Sequence, residues 1–533
     1  MITLLIMPDQ NPSFPTEEAP AAPYGEMKQP KEIAPQPEPL QGPSQSQPWT
    51  GTATPPKEAG GVSPETPSPA PVSPAGPVSQ PPVPVIAEGP TVTTTGRRFP
   101  IKIILGILLA LILAALAYFG FKFLRSRTGA PLTTNTITWW GLWEDSGVVA
   151  PLIEEYQTQN PTIKIEYVRQ SPKDYRERLE SSLSGGEGPD IFFFHNSWVP
   201  MFRDKLDKIP AEVMGAGEFA QTFYPIVSSD VTSGTGLTGI PLGYDALTLY
   251  INQDMFDAAG KTAPETWDDL RKVASELTIK DEDGLISQSG VALGLTSNID
   301  HWPEILALMM LQNGANLAEP TGELAEKALE FYTFFYKTDK VWDENLPNST
   351  VAFAAGKVAM IFGPSWRAFE IKEQNPELRF KTVAPPHLPK EDTNEPDVAY
   401  ATYWIQGVWE GSSQKEAAWS FLKFMSQKTS LEKLFANASK TRLFGEPYPR
   451  VDMTELLNTH PMLGAIITQA PNATSWYLAS RTFDGPTGIN SQINKYFEDA
   501  VNAVNEGTSA EGALATTAEG VAQILAQFGI SSP

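Results

Sequence analysis

The sequence predicts an α/β protein with a largely parallel sheet, preceded by a Pro-rich tail and one membrane-spanning helix. Strand and helix patterns alternate from Thr136 onward. An uncharged apolar run covers residues 103–121, and residues 1–98 contain 23 of the 49 Pro residues. These observations divide the chain into a disordered tail (1–98), a transmembrane helix (99–124), a linker (125–135) and a globular region (136–533).

The tail lacks the composition of a folded domain. It contains few aromatic residues, and runs such as Pro64-Glu65-Thr66-Pro67-Ser68-Pro69 favour polyproline II and coil over a packed core. A segment of this kind cannot bury enough apolar surface to offset its conformational entropy. We therefore expect a disordered spacer.

The apolar run at 103–121 has the length of a membrane span. Nineteen residues at helical rise cover about 29 Å, close to the roughly 30 Å hydrocarbon thickness of a bilayer. A cleaved signal would be shorter and would lie near the N-terminus, so we expect a retained anchor. Three basic residues lie on each side of the run, and charge therefore does not predict its orientation.

The globular region begins as a series of βαβ units. Residues 136–140 predict a strand, Val149, Leu152 and Tyr156 follow at helical spacing, and residues 163–167 alternate as a second strand. A further helix is predicted to end at Gly185-Gly186, before a buried strand at 191–194. Repeated strand, crossover helix and strand indicate a parallel sheet covered by helices on both faces.

Composition excludes several classes of function. Nine basic and nine acidic residues cancel before Thr136, so the net charge of −23 lies in residues 136–533 and makes nucleic acid an unlikely partner. Zero Cys excludes disulfides, thiolate metal sites and a lipid-bearing Cys. The four His residues show no metal-ligand spacing, and no cofactor is expected.

Aromatic and polar side chains follow the predicted strands at their C-terminal ends, where ligands bind in such sheets. Trp143 and Glu144 come after the first strand, and His195, Asn196 and Trp198 come after the third. Aromatic faces next to planar hydrogen-bonding groups suit sugars, which present C–H faces and hydroxyls. Twelve of the 13 Trp residues lie in this region, and many are expected to pack in the core.

Several motifs occur in an order that resembles a known family. They are Gly188-Pro189-Asp190-Ile191, Gly239-Ile240-Pro241-Leu242-Gly243-Tyr244-Asp245, Tyr250-Ile251-Asn252-Gln253-Asp254-Met255-Phe256, Pro264-Glu265-Thr266-Trp267, Phe353-Ala354-Ala355-Gly356-Lys357 and Gly363-Pro364-Ser365-Trp366. Together they resemble the extracellular solute-binding proteins of bacterial ABC importers, in the family that contains maltose-binding protein. The resemblance extends over nearly all of residues 136–533.

The resemblance implies a periplasmic-binding-protein-like (type II) domain: two discontinuous α/β lobes that close on a ligand. It places hinge crossings near 243–245 and 384–400. Trp366 matches a position where an aromatic ring stacks on sugar. Tyr244 and Asp245 could face the ligand or serve the hinge. A stacking position near Asn494 is not aromatic here, so the resemblance does not extend to a maltose-like specificity.

Further candidates come from family loops or from composition. Trp302 lies in a loop that resembles a contact region, whereas Trp404, Arg481 and Asp484 are chosen from composition alone. The expected ligand-binding residues are Trp143, Glu144, Phe194, His195, Asn196, Trp198, Tyr244, Asp245, Trp302, Trp366, Trp404, Arg481 and Asp484.

The predicted function is a binding component, anchored by one helix, that delivers a sugar or oligosaccharide to ABC transporter permease subunits. The family implies a tail in the cytoplasm and a binding domain outside the membrane. Two alternatives stay open: a receptor that signals through the helix, and a binding protein for a solute other than a sugar. A glycosidase would need two carboxylates about 5–9.5 Å apart. No spacing in the sequence isolates such a pair, and we expect no enzyme.

Overall fold

The computed structural model of the protein describes residues 101–127, 135–390 and 397–531. The predicted tail, 1–98, lies outside the described residues, as does most of the predicted linker. The first helix, α1, spans Ile101–Arg127 and so extends three residues beyond the predicted helix.

Helix α1 is apolar along most of its length. Its described side chains are exposed on all sides, including Leu109, Leu113, Leu116 and Phe119. Among the described residues, no helix meets the length and apolarity needed for crossing a membrane. The membrane-spanning role of this segment is not confirmed and stays a prediction.

Alternating strands and helices make up the described residues after 134. The strands are β1 Asn135–Gly141, β2 Ile163–Arg169, β3 Ile191–His195, β4 Thr232–Ser233, β5 Gly236–Leu237, β6 Ile240–Pro241, β7 Thr248–Asn252, β8 Ile279–Lys280, β9 Ile286–Val291, β10 Val358–Gly363, β11 Phe380–Val383, β12 Ala399–Tyr400, β13 Trp404–Val408 and β14 Ala473–Thr474.

The helices pack on both faces of the sheets. They are α2 Ser146–Gln159, α3 Tyr175–Gly185, α4 Val199–Phe202, α5 Ala216–Thr222, α6 Pro225–Asp230, α7 Gln253–Ala259, α8 Trp267–Leu277, α9 Trp302–Gln312, α10 Glu323–Lys337, α11 Ser349–Ala354, α12 Arg367–Gln374, α13 Lys415–Met425, α14 Lys428–Ala438, α15 Gly464–Gln469, α16 Ile489–Asn505 and α17 Ala510–Gln527. Short 3-10 turns cover Asn196–Trp198, Val451–Leu456 and Ala470–Asn472.

The first lobe is built on a five-stranded sheet with the order β2-β1-β3-β13-β6. Strand β1 is parallel to β2 and β3, and β13 is antiparallel to β3 and β6. The predicted strands and helices from Thr136 to Phe194 are confirmed, as β1, α2, β2, α3 and β3. Helix α2 buries Val149, Leu152 and Tyr156, as their helical spacing predicts. Of these five strands, β13 alone runs in the opposite direction, and it joins the sheet from more than 200 residues after β3 in the chain.

The carboxylate of Asp190, just before β3, has a structural role. Its Oδ2 accepts hydrogen bonds from the backbone N–H of Thr138, at 2.7 Å, and from the Thr138 hydroxyl, at 2.9 Å. Its Oδ1 accepts from the hydroxyl of Ser412, beyond the end of β13. One side chain therefore ties together the three central strands of the first sheet.

The second lobe is built on another five-stranded sheet, with the order β11-β7-β10-β9-β8. Strand β10 is antiparallel to β7 and parallel to β9. Helices α9, α10, α16 and α17 belong to this lobe, where α16 and α17 pack on α10. The sequence motif at 250–256 covers the end of β7 and the start of α7. The motif that begins at Phe353 runs from the end of α11 towards β10.

The chain passes between the sheets at three places. Residues 242–247 join β6 to β7, and residues 384–403 join β11 to β13 through β12. These two passages run side by side, because Ala246 pairs with Ala401 and the N–H of Leu247 donates to the carbonyl of Tyr400. A third passage, at 457–463, was not predicted. Lobe closure about these segments stays a prediction.

Close packing between β9 and α8 makes Gly290 intolerant of a side chain. A Cβ at Gly290 would lie 1.9 Å from the carbonyl oxygen of Ala274, whereas one at Gly217 in α5 would meet no atom within 4 Å. Because overpacking of this kind costs about 1–3 kcal/mol, we expect Gly290→Ala to lower the free energy of unfolding by at least that amount.

The matched control is Gly217→Ala, which should leave stability unchanged or raise it by up to about 1 kcal/mol, since Ala is the better helix former. Urea denaturation of both variants measures the difference. Equal stability of the two variants would contradict the packing described for β9.

Candidate functional site

A cavity of about 380 Å³ lies between the two lobes. On the first lobe it is lined by side chains that follow β1 and β3 and by side chains of β13: Trp143, Glu144, His195, Trp404 and Gln406. On the second lobe it is lined by His301, Glu304, Trp366, Phe369, Ser480, Arg481 and Phe483. The connecting passages contribute Tyr244, Asp245, Thr402 and Tyr403.

An aromatic cluster forms the first-lobe wall. Because β13 runs antiparallel to β3, Trp404 stands directly opposite His195. The Trp404 ring lies 5.4 Å from Trp143 and 5.3 Å from Trp198, in edge-to-face arrangements. Trp143 also lies 5.9 Å from Phe483 of the second lobe. The two walls therefore meet through aromatic contacts at this side of the cavity.

Trp366 on the opposite wall is supported from beneath by Arg367. The guanidinium carbon of Arg367 lies 4.3 Å from the centre of the Trp366 ring, within the range of a cation–π contact. Arg367 is buried, forms an ion pair with Asp300 at 3.0 Å and also pairs with Glu370. This arrangement fixes the Trp366 indole as a platform at the cavity wall.

A hydrogen-bonded chain continues from Arg367 along the wall. Nε of Arg367 donates to Nε2 of His301 at 2.8 Å, so the His301 proton lies on Nδ1, which is 3.1 Å from the Ser480 hydroxyl. Burial and the Arg367 charge lower the pKa of His301, which is neutral at pH 7. Ser480 in turn donates to Glu304 Oε1 through its N–H, at 2.6 Å, and through its hydroxyl, at 2.9 Å.

Asp245 joins the first passage to the loop that carries Trp366. Its carboxylate accepts from the N–H of Ser365 at 3.0 Å, from the Ser365 hydroxyl at 2.7 Å and from the N–H of Ala246 at 2.8 Å. Burial raises the pKa of Asp245 to about 7, although the Ser365 hydrogen bonds act against that rise. Its oxygens are occupied by these donors, so its main role in this conformation is to position the loop.

Glu144 and Glu446 share one arginine. Nη2 of Arg442 lies 2.7 Å from Glu144 and 3.0 Å from Glu446, and the guanidinium also lies 5.3 Å from the Phe369 ring. Burial and the nearby Glu446 charge raise the pKa of Glu144 to about 7, against the opposing effect of Arg442. The two carboxylates therefore compete for one guanidinium, and Glu144 holds a proton more readily than an exposed carboxylate does.

Five buried polar atoms of cavity-lining residues have no hydrogen-bond partner among the described residues. They are Trp139 Nε1, Trp143 Nε1, Tyr244 OH, Glu304 Oε2 and Gln406 Oε1. Buried polar groups are nearly always satisfied, so a water molecule or a bound solute is needed to complete them. The set contains both donors and acceptors, as a polyhydroxylated solute requires.

The structure brings together eight of the 13 expected ligand-binding residues. Lining the cavity are Trp143, Glu144, His195, Tyr244, Asp245, Trp366, Trp404 and Arg481. They come from both lobes and from the first passage. Direct contact of each with a solute stays a prediction.

The expectation for three residues at the end of β3 and just after it needs correction. Side chains alternate across a strand, so Phe193 and His195 face the cavity whereas Phe194 is buried in the core on the other face. Asn196 is buried and donates to Asp230 at 3.1 Å, and Trp198 is buried behind Trp404, stacked on Phe202. None of the three lines the cavity.

Trp302 and Asp484 also lie elsewhere. Both line a separate shallow depression on the second lobe. The Asp484 carboxylate accepts from the N–H of Asn490, at 2.7 Å, and from the Ser491 hydroxyl, at 2.6 Å, at the start of α16. Asp484 is therefore occupied with capping that helix.

Sequence reasoning missed most of the polar wall. His301, Glu304, Arg442, Glu446 and Ser480 come from three distant segments, and no local pattern marks them. Phe193 could have been found, because it lies two residues before His195 on the same strand and so shares its face. Gln406 has the same relation to Trp404 on β13.

The raised pKa of Glu144 predicts a pH-dependent stability. Between 4.5, the ordinary value, and about 7, the folded state holds a proton that the unfolded state has lost. Stability of the solute-free protein should therefore fall as the pH rises through this window. We expect Glu144→Gln to lose less stability than the wild type between pH 5 and 8, by up to about 3 kcal/mol.

Urea denaturation at each pH measures this difference, with Glu154→Gln on the exposed face of α2 as the matched control. Parallel stability curves for the wild type and Glu144→Gln would refute the assignment of this proton to Glu144.

Comparison with known proteins agrees with this architecture. Residues 151–442, more than half of the chain, match the family described as bacterial extracellular solute-binding protein. A putative binding protein of Brucella abortus is 23% identical over 305 residues, covering 54% of this chain and 71% of that protein. A maltotriose-binding protein of Pyrococcus abyssi is 20% identical over 297 residues, covering 54% and 61%.

A solved structure shares the two-lobed fold. The ABC transporter solute-binding protein of Thermotoga lettingae, determined with α-D-tagatose bound, aligns with a TM-score of 0.56 at 23% identity, covering 74% of this chain and 100% of that one. The family consists of binding proteins. The cavity between two α/β lobes and the match over residues 151–442 show that this chain belongs to the bacterial extracellular solute-binding proteins.

Proposed function

We propose that the protein is a membrane-anchored extracellular solute-binding protein that captures a sugar or oligosaccharide between its lobes and delivers it to an ABC importer. The observation that carries this proposal is the cavity, where Trp143, Trp366 and Trp404 combine with five unsatisfied polar atoms. Indole faces pack against the C–H faces of a sugar ring while donors and acceptors bind its hydroxyls. The names of the relatives, which include a maltotriose-binding protein, support the same class of solute.

The proposal assigns a mechanical role to the paired passages. Solute contacts come from both lobes, so binding favours a closed arrangement over an open one. Asp245 transmits a shift of the first passage to Trp366 through its bonds to Ser365. Catalysis is not needed to explain the cavity, because its carboxylates are held by Arg442 and by Ser365 and Ser480.

Anchoring would keep the binding domain next to its permease. Helix α1 presents exposed leucines along its length, and it is separated from β1 by only a short segment. A domain tethered in this way has a high effective concentration at the membrane, which favours repeated delivery. The family implies that residues 136–533 lie outside the cytoplasm.

Solute binding can be tested by thermal melting of the full chain in mild detergent against mono- and oligosaccharides, amino acids and sugar phosphates. A solute at 100 times its Kd should stabilise the protein by about 2.7 kcal/mol. We expect a shift with a saccharide, which Trp366→Ala should abolish because it removes the stacking face.

Trp409 is half-buried and lies outside the cavity, so Trp409→Ala is the matched control and should retain the shift. A shift only with a solute other than a saccharide would refute the carbohydrate assignment. No shift with any solute would refute the binding function.

Anchoring can be tested by membrane fractionation. Arg in place of both Leu109 and Leu113 should move the protein to the soluble fraction, because each charge at a helix centre costs about 2.5–3.5 kcal/mol on insertion. The matched control with Ala at both positions should stay in the membrane. Protease added outside the cell should digest residues 136–533, and their protection would contradict the orientation.

A further inference from the structure

The cavity walls carry a surplus of negative charge. Five carboxylates line the cavity, namely those of Glu144, Asp245, Glu304, Glu370 and Glu446, against the two guanidinium groups of Arg442 and Arg481. The two histidines on the walls add no positive charge at neutral pH, because burial lowers the pKa of His195 to about 3 and also lowers the pKa of His301.

Both guanidinium groups on the walls are already paired. Arg442 bridges Glu144 and Glu446, and Arg481 donates to Asp300 at 3.0 Å. Arg367, behind Trp366, is paired with Asp300 and Glu370. Among the cavity residues that the structure describes, Arg481 is the half-exposed cation, and its pairing with Asp300 weakens its attraction for an anionic group of a solute. The surplus of carboxylates disfavours phosphorylated sugars and uronates.

Glu304 is a cavity carboxylate that forms no ion pair with an Arg or Lys among the described residues. Although burial acts to raise its pKa, hydrogen bonds from His301 and Ser480 hold that pKa below its usual value, so the carboxylate is charged at neutral pH. Its side chain is fully buried, and Oε1 accepts two hydrogen bonds from Ser480 while Oε2 has no partner. The nearest titratable partner is His301, at 3.6 Å, which the Arg367 bond holds neutral. A buried carboxylate without a cation is costly, and a positively charged group in the cavity would relieve that cost.

Indole rings bind cations through cation–π contacts as well as packing against the C–H faces of sugars, so the aromatic walls suit either kind of group. The Trp366 ring already contacts the Arg367 guanidinium, and the Trp366 side chain also lines the cavity. Trp143 and Trp404 offer further indole faces on the opposite wall. An ammonium on a sugar ring can therefore lie near aromatic faces and a carboxylate at once.

We infer that the solute is cationic: a saccharide that carries a protonated amine, received by Glu304 and by the acidic cluster around Arg442. The inference rests on the proposed saccharide-binding function and narrows it to amine-bearing sugars. The amine donates to Glu304 Oε2, and the ring hydroxyls bind Gln406 and Tyr244. A neutral sugar of the same shape leaves the surplus charge uncompensated.

The test uses the full chain in mild detergent and pairs of sugars that differ only by an amine in place of a hydroxyl on each ring. The pairs are glucosamine and glucose, galactosamine and galactose, mannosamine and mannose, and chitosan trimer and cellotriose, with trigalacturonate as the anionic probe. We expect the amine-bearing member of at least one pair to bind ten or more times as tightly by calorimetry. Trigalacturonate should give no binding, because its carboxylates meet the surplus of negative charge.

Two variants test the residues named. Glu304→Gln should reduce the ratio of amine to neutral affinity by about tenfold, and Glu144→Gln provides a second variant in case the first fails to fold. Glu373→Gln, an exposed carboxylate on α12 outside the cavity, is the matched control and should leave the ratio unchanged.

The outcomes separate the two proposals. Equal or tighter binding of the neutral members would overturn the cationic solute and leave the saccharide function intact. Binding of trigalacturonate would likewise overturn it. Absence of binding by every sugar in the set would overturn both.

Discussion

The buried guanidinium of Arg367 is the interaction on which the cavity depends. It begins α12, lies beneath Trp366, donates to His301 and pairs with Asp300, so one side chain connects the aromatic platform to the polar wall. Burying a guanidinium is favourable only when its donors are matched by well-placed acceptors. The same requirement that stabilises Arg367 therefore fixes the orientation of Trp366 and the tautomer of His301.

A second buried carboxylate connects three segments of the chain near the passages. Asp230, at the end of α6, accepts from Tyr403 at 2.7 Å, from Asn196 at 3.1 Å and from Ser475. Burial raises its pKa to about 6, although the hydrogen bonds from Ser475 and Tyr403 act in the opposite direction. Asn196 follows β3, Tyr403 lies at the end of the second passage, and Ser475 follows β14. The hydrogen bonds to this one carboxylate therefore hold these three segments together.

Electrostatics and packing serve different purposes at this site. The aromatic residues supply contact area on both walls and depend little on charge. The carboxylates on the cavity walls outnumber the arginines, and in our proposal this imbalance selects among solutes by charge. The low polarity of the surroundings strengthens that selection, because buried charges are poorly screened by salt.

The sequence determined the α/β alternation and the family motifs, because strand and helix periods and turn residues are local properties. Trp143, His195 and Trp366, which the sequence predicts as ligand contacts, line the cavity, since each lies beside a strand end or a motif. The sequence predicted Phe194 as a ligand contact, but side chains alternate along β3 and the Phe194 side chain is buried in the core.

Only the tertiary structure decided the polar wall. It inserted β13 beside β3, brought Ser480 to Glu304 and Arg442 to Glu144, and gave Asp245 its bond to Ser365. These pairs are separated by more than 100 residues, and their contacts follow from sheet order and from the need to satisfy buried charges. Neither constraint leaves a pattern in neighbouring residues, so the charge of the site became visible only when the lobes were assembled.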